Sequence, residues 1–115
     1  RMGVAETYDV IVEPPAGAAR GVTRDTAESV MSESMVCLKF GSSVLRTAAD
    51  LPWCVQQVYG HVRRGERVVA VVSAFAGVTD ALYARAREHG REERATAALV
   101  ATGEHESAAL LALAL

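Results

Sequence analysis

The run Arg67-Val-Val-Ala-Val-Val-Ser73 is unbroken and mostly β-branched, and it restricts the fold more than any other stretch of the chain. A strand exposed on one side would alternate apolar with polar residues. This one predicts a central strand of a parallel sheet, covered on both faces. Upstream, Val36-Cys-Leu-Lys-Phe40 predicts a second short buried strand that leaves directly into the turn Gly41-Ser42-Ser43. Between the two, Leu51, Cys54, Val55, Val58, Tyr59 and Val62 recur at helical spacing, with Pro52 in the first turn and Gly65 just past the end. Strand, helix and strand at these intervals form a βαβ unit, whose crossover is expected to be right-handed.

After Ser73 the loop Ala74–Gly77 leads into a helical stretch from about Val78 to His89, which Gly90 punctuates. A second stretch runs from about Glu92 to Ala101. Thr102-Gly103-Glu104 then reads as an acidic turn that opens a last apolar helix toward Leu115. On the other side, composition shifts near Met35, so residues 1–34 are read as an extension or linker and 35–115 as the folded unit. Within the extension, Tyr8-Asp-Val-Ile-Val12 is β-like and is closed by Glu13-Pro14-Pro15, whose prolines cannot donate to a ladder.

Composition narrows the function. Twelve basic residues are interspersed with fourteen acidic ones, a balance of -2 that gives no reason to expect nucleic acid or an anionic membrane. Cys37 and Cys54 are far apart and form no ligand spacing, so reduced thiols, a cytoplasmic location and no metal site are expected. The apolar run from Ser107 to Leu115 is far short of the roughly 20 residues a membrane helix needs, and no secretory leader is recognisable. His61 and His89 lie beside arginines and read as solvated.

Three constellations can carry chemistry. Lys39 ends a strand and precedes Gly41-Ser42-Ser43, where a glycine permits close backbone approach, hydroxyls donate to phosphate oxygens and the ammonium adds positive charge. The lysine precedes the glycine, so this is not a Walker A loop. The alternative is a snorkelling lysine and an ordinary turn. Ser73-Ala74-Phe75-Ala76-Gly77-Val78-Thr79-Asp80 is a second strand exit, in which Thr79 or Asp80 can cap the following helix and do nothing more. Glu104 can bind the ammonium group of an amino acid, or simply favour a helix N-terminus.

Taken in order, the three segments carry a family likeness. Lys39-Phe-Gly-Ser-Ser-Val44 resembles the K-F-G-G-[TS]-S-V opening of aspartate kinases. Val71-Val-Ser-Ala-Phe-Ala-Gly-Val-Thr-Asp80 resembles their V-V-S-A-M-x-G-V-T-[ND], and the stretch from Ala101 to Leu115 resembles their [AS]-T-G-E-x-x-S-x-x-L-L-A-x-x-L. The resemblance implies an α/β fold, a three-layer αβα sandwich with a mainly parallel sheet, here incomplete. It implies transfer of the γ-phosphoryl group of ATP, with Mg²⁺, to the side-chain carboxylate of L-aspartate, on the route to lysine, threonine and methionine. By motif position, Lys39 stabilises charge on the transferring group and Gly41, Ser42 and Ser43 hold phosphates. Ser73, Ala74, Thr79 and Glu104 line the substrate pocket, with Glu104 facing the ammonium.

The single-glycine turn departs from the double-glycine form and also resembles glutamate 5-kinases, which leaves a relative of that kind as an alternative. Ser73-Ala74-Phe75 and the T-G-E-x-x-S stretch favour aspartate. The likeness covers the first part of such a kinase domain, shared with fused aspartate kinase–homoserine dehydrogenases, so the isolated chain is expected not to turn over ATP, and the complete protein to be a homo-oligomer. A non-catalytic scaffold or interaction fragment is the reading from a different class.

Overall fold

The computed structural model describes residues 8–12 and 34–115. The expected linker between Val12 and Ser34 lies outside the described residues. Three strands form one sheet in the order β1-β3-β2: β1 (Tyr8–Val12), β2 (Met35–Phe40) and β3 (Arg67–Val72). The β-branched run is the central strand. It pairs in parallel with β2, Met35 opposite Arg67 and Phe40 opposite Val72, and antiparallel with β1, Tyr8 opposite Val72.

Helix α1 (Leu51–Val62) crosses between the parallel strands with the bounds its periodicity predicts. Pro52 sits in the first turn, where a missing N–H costs no helix bond. At the far end Gly65 takes φ +80°, a left-handed conformation that turns the chain back toward β3 and disfavours other residues. Here His61 is half-buried, with Nδ1 2.7 Å from Glu66 Oε2, so the expectation of a solvated histidine fails. That hydrogen bond, helped by Arg64, holds the Glu66 carboxyl below its usual range.

Alternation along the strands gives the sheet two unlike faces. Val68, Ala70 and Val72 of β3 and Phe40 of β2 join Leu45, the α1 residues Leu51, Cys54, Val58 and Val62, and Ala108 and Leu111 in one buried core. The opposite face carries Met35, Cys37 and Lys39, all exposed, and the half-buried Arg67, Val69 and Val71. Among the described residues, cover on both faces of β3 is therefore found on one only, because the helices that bury the sheet converge on the side of Val68 and Val72. The α/β character and the parallel βαβ unit stand as expected.

Helix α2 (Val78–His89) also has its expected bounds. The C-terminal helix does not. Glu93–Ala114 is one continuous helix of 22 residues, α3, and Thr102-Gly103-Glu104 is two turns and more inside it. Glu92 caps it, its carboxylate accepting from Arg94 N–H at 3.0 Å and Ala95 N–H at 2.6 Å. Glycine reads as a break because it is a poor helix former. Here it serves packing: a β-carbon at Gly103 would lie 2.9 Å from Val78 Cγ1, 3.1 Å from Ala74 Cβ and 3.2 Å from Leu82 Cδ1. Thr102, inside the helix, donates its hydroxyl to the Leu99 carbonyl at 2.6 Å.

Candidate functional site

Parallel pairing sets the exits of β2 and β3 side by side. Ser73 N–H donates to Phe40 O at 3.1 Å, which places the turn after β2 against the loop after β3. Ligands of open α/β sheets bind at such carboxyl ends. The first turn closes tightly, Gly41 O accepting from Val44 N–H at 3.0 Å and from Leu45 N–H at 2.8 Å, and it is anchored by the fully buried Leu45. Ser42 and Ser43 are exposed on it. Among the described residues, and apart from its chain neighbours, nothing lies within 4 Å of where a β-carbon on Gly41 would stand, so there is room for an oxyanion to approach the backbone.

Lys39 is exposed and in register with Val71, on the face of the sheet away from the core. Its side chain thus leaves the strand on the side opposite Phe40, while Ala74, against Gly103 of α3, and Thr79 and Glu104, carried on α2 and α3, belong to the helical side. Lys39 and the turn share the strand end; no hydrogen bond or ion pair among the described residues joins Lys39 to the other group.

At the second exit Gly77, with φ +80°, is the N-cap of α2, and among the described residues no side chain caps the helix. The expected capping by Thr79 or Asp80 is overturned, because both lie inside the first turn. A positive φ is what a glycine supplies cheaply and a capping threonine would not. The helix start keeps N–H groups and a positive dipole end at this rim. Ser73 bonds locally, its hydroxyl 3.2 Å from Ala74 O and 3.4 Å from Phe40 O. Ala74 is buried, and Thr79 half-buried.

Glu104 is carried on the middle of α3, so a role in favouring a helix N-terminus is excluded. Its Oε2 is buried and has no hydrogen-bond partner among the described residues. A buried carboxylate oxygen without a partner is costly, and a cationic ligand would relieve it. Ser107, one turn on, is fully buried. Its hydroxyl lies 2.7 Å from Ser73 O, and 3.2 Å from both Gly103 O and Glu104 O. The structure thereby brings the backbone at Ser73, Ala74 and Glu104 together through Gly103 and Ser107, two residues of the T-G-E-x-x-S stretch to which the motif reading gave no role. The signal was present: two small residues four apart on one face of an apolar helix permit close approach to a neighbour.

A surface pocket of about 330 Å³ adjoins the first turn, lined by Ser43, Val44, Arg46, Asp50 and Trp53. Of the sequence-predicted residues it includes Ser43 alone. Trp53 is held edge-on to Phe40, ring centroids 6.2 Å apart. Asp50 is occupied in a capping box, accepting from Thr47 N–H at 3.1 Å and Arg46 N–H at 3.0 Å, while Thr47 Oγ1 accepts from Ala49 N–H. These bonds, Thr47 first, hold its carboxyl below the usual range.

Among the described residues no group of three or more His, Cys, Asp and Glu side chains is placed to hold a metal ion, and no helix is long and apolar enough to cross a membrane. The Gly41 turn and the start of α2 offer hydroxyl and backbone N–H donors at adjoining strand ends, with Lys39 on the far face of the sheet. No curated protein and no solved structure matches the chain. The family model that does match is the one described as the amino acid kinase family, over residues 34–115.

Proposed function

The chain belongs to the amino acid kinase family, a family of phosphotransferases, and we propose that its acceptor is L-aspartate and its donor ATP carried with Mg²⁺. In the proposed reaction an oxygen of the side-chain carboxylate forms a bond to the γ-phosphorus as the bond to the β,γ-bridging oxygen breaks. The products are an acyl phosphate and ADP. The attacking carboxylate is already ionised, so no general base is required, and catalysis rests on position and charge.

Each residue has a part in this reading. Ser42, Ser43 and the backbone at Gly41 bind phosphate oxygens, and Lys39 neutralises charge on the transferring group. Mg²⁺, when bound with the nucleotide, supplies further charge neutralisation on the phosphates. Ser73, Ala74 and Thr79 border the acceptor, and Glu104 pairs with its ammonium. What carries the reading is the buried, unpartnered Oε2 of Glu104, on the turn of α3 that Ser107 joins to the β3 exit, since an α-ammonium is a group that such an oxygen would receive.

One observation favours glutamate as the second reading: the turn after Lys39 has a single glycine, as the glutamate-directed relatives do. Calorimetry on the chain with L-aspartate, L-glutamate and Mg-ATP decides between them. Aspartate binding at least tenfold tighter than glutamate is expected. Tighter glutamate binding would install the second reading, and no heat from either acid would discard both.

A further inference from the structure

We propose that Ser107 is a positioning residue that clamps the β3 exit to α3 and so sets the gap between the Ser73–Ala74 backbone and the Glu104 carboxylate; this rests on the proposed acceptor site. The hydroxyl has one proton. It is closest to Ser73 O, at 2.7 Å, against 3.2 Å to the two carbonyls of its own helix. A serine inside a helix ordinarily returns its proton to a carbonyl three or four residues back. The shorter contact here spans 34 positions of sequence and joins two elements.

The geometry around it leaves little slack. Gly103, one turn before Ser107, lies against Ala74, Val78 and Leu82 so tightly that a β-carbon would force its neighbours to shift. Ser107 itself is completely buried, so water cannot replace its bond. Glu104 stands between these two anchor points on α3, and its own carbonyl shares the Ser107 hydroxyl. A carboxylate carried on a helical turn fixed on either side of it needs no induced ordering when an ammonium arrives. Loss of the Ser107 bond would let the loop shift relative to α3, and an acceptor that spans the two would sense the change. A nucleotide held at the Gly41 turn would not.

The test is calorimetry and amide hydrogen exchange on the full chain, wild type beside Ser107→Ala, Ser107→Thr and Ser107→Cys. Thr keeps the hydroxyl; Cys fills the space with a weak donor and serves if the alanine variant does not fold. We expect Ala or Cys to weaken L-aspartate binding about fivefold, the worth of one neutral hydrogen bond, with Mg-ATP binding unchanged within about twofold and Thr restoring most of the loss. Exchange should rise at Ala74–Ala76 and not along β2 or α1. Equal losses for both ligands, or faster exchange throughout, would reduce Ser107 to a general core residue and overturn the proposal. Should the wild-type chain bind no amino acid, the acceptor reading falls separately, and exchange alone decides the clamp: a local rise upholds it and a uniform rise removes it.

Discussion

Gly103 and Val78 meet so closely that a β-carbon on the glycine would lie 2.9 Å from Val78 Cγ1. The contact reverses a familiar expectation. Replacing a helix-interior glycine by alanine normally stabilises by about 1 kcal/mol, but here the new methyl also meets Ala74 Cβ, which moves only with its backbone. Gly103→Ala should therefore destabilise by about 1–3 kcal/mol, the usual cost of overpacking. Urea denaturation measures it, and an unchanged or raised midpoint would show that α2 and α3 separate easily.

Lys39 offers the opposite case, a residue whose removal should not trouble the fold. It is exposed on the open sheet face, so Lys39→Ala should alter stability by less than about 0.5 kcal/mol. Its loss should nonetheless weaken Mg-ATP binding by roughly tenfold or more, as for a hydrogen bond to a charged group, while aspartate binding stays near wild type. Unchanged nucleotide affinity would remove Lys39 from the phosphate site.

Leu45 is fully buried immediately after the turn that begins at Gly41. Leu45→Ala should cost about 2–5 kcal/mol and loosen the turn, so that nucleotide affinity falls along with the melting temperature. A variant that melts lower but binds nucleotide normally would show that the turn is held by its own backbone bonds.

The capping box at Asp50 gives a pH dependence with a definite sign. Hydrogen bonds from Thr47 and Arg46 depress the folded-state pKa of Asp50, so its contribution is fully present above the unfolded value of about 4 and is lost as pH falls through the folded value. Melting temperature should drop on acidification below about pH 4, and Asp50→Asn should flatten part of that slope. Glu66, depressed chiefly by His61, acts in the same direction. An equally steep acid limb in Asp50→Asn would show that the box adds nothing measurable.

The parts legible in the sequence were those with local punctuation. Pro52 and Gly65 bracket α1, Gly77 and Gly90 bracket α2, and each helix has the expected bounds. The central place of the Arg67–Val72 run followed from its β-branched residues. What escaped was set by tertiary contact. Gly103 reads as a breaker until the neighbours that exclude a β-carbon are known, and Ser107 looks like a tolerated polar residue in an apolar helix until its partner 34 positions away is seen. The cap of α2 went to Gly77 because a left-handed φ outweighed the side-chain chemistry of Thr79. The difference between the two sheet faces was equally hidden, since the half-buried Val69 and Val71 are as apolar as the core-facing Val68 and Val72.

The face of the sheet that carries Lys39 supplies the protein with a spectroscopic handle of its own. The two thiols stand on opposite sides of the layer: Cys37 open to solvent and two residues before Lys39 on the same face, Cys54 sealed in the core with burial raising its pKa. A thiol-directed fluorophore should therefore attach at one position without mutagenesis and report from beside the lysine. Modification of the second thiol would then serve as a clock for opening of the core.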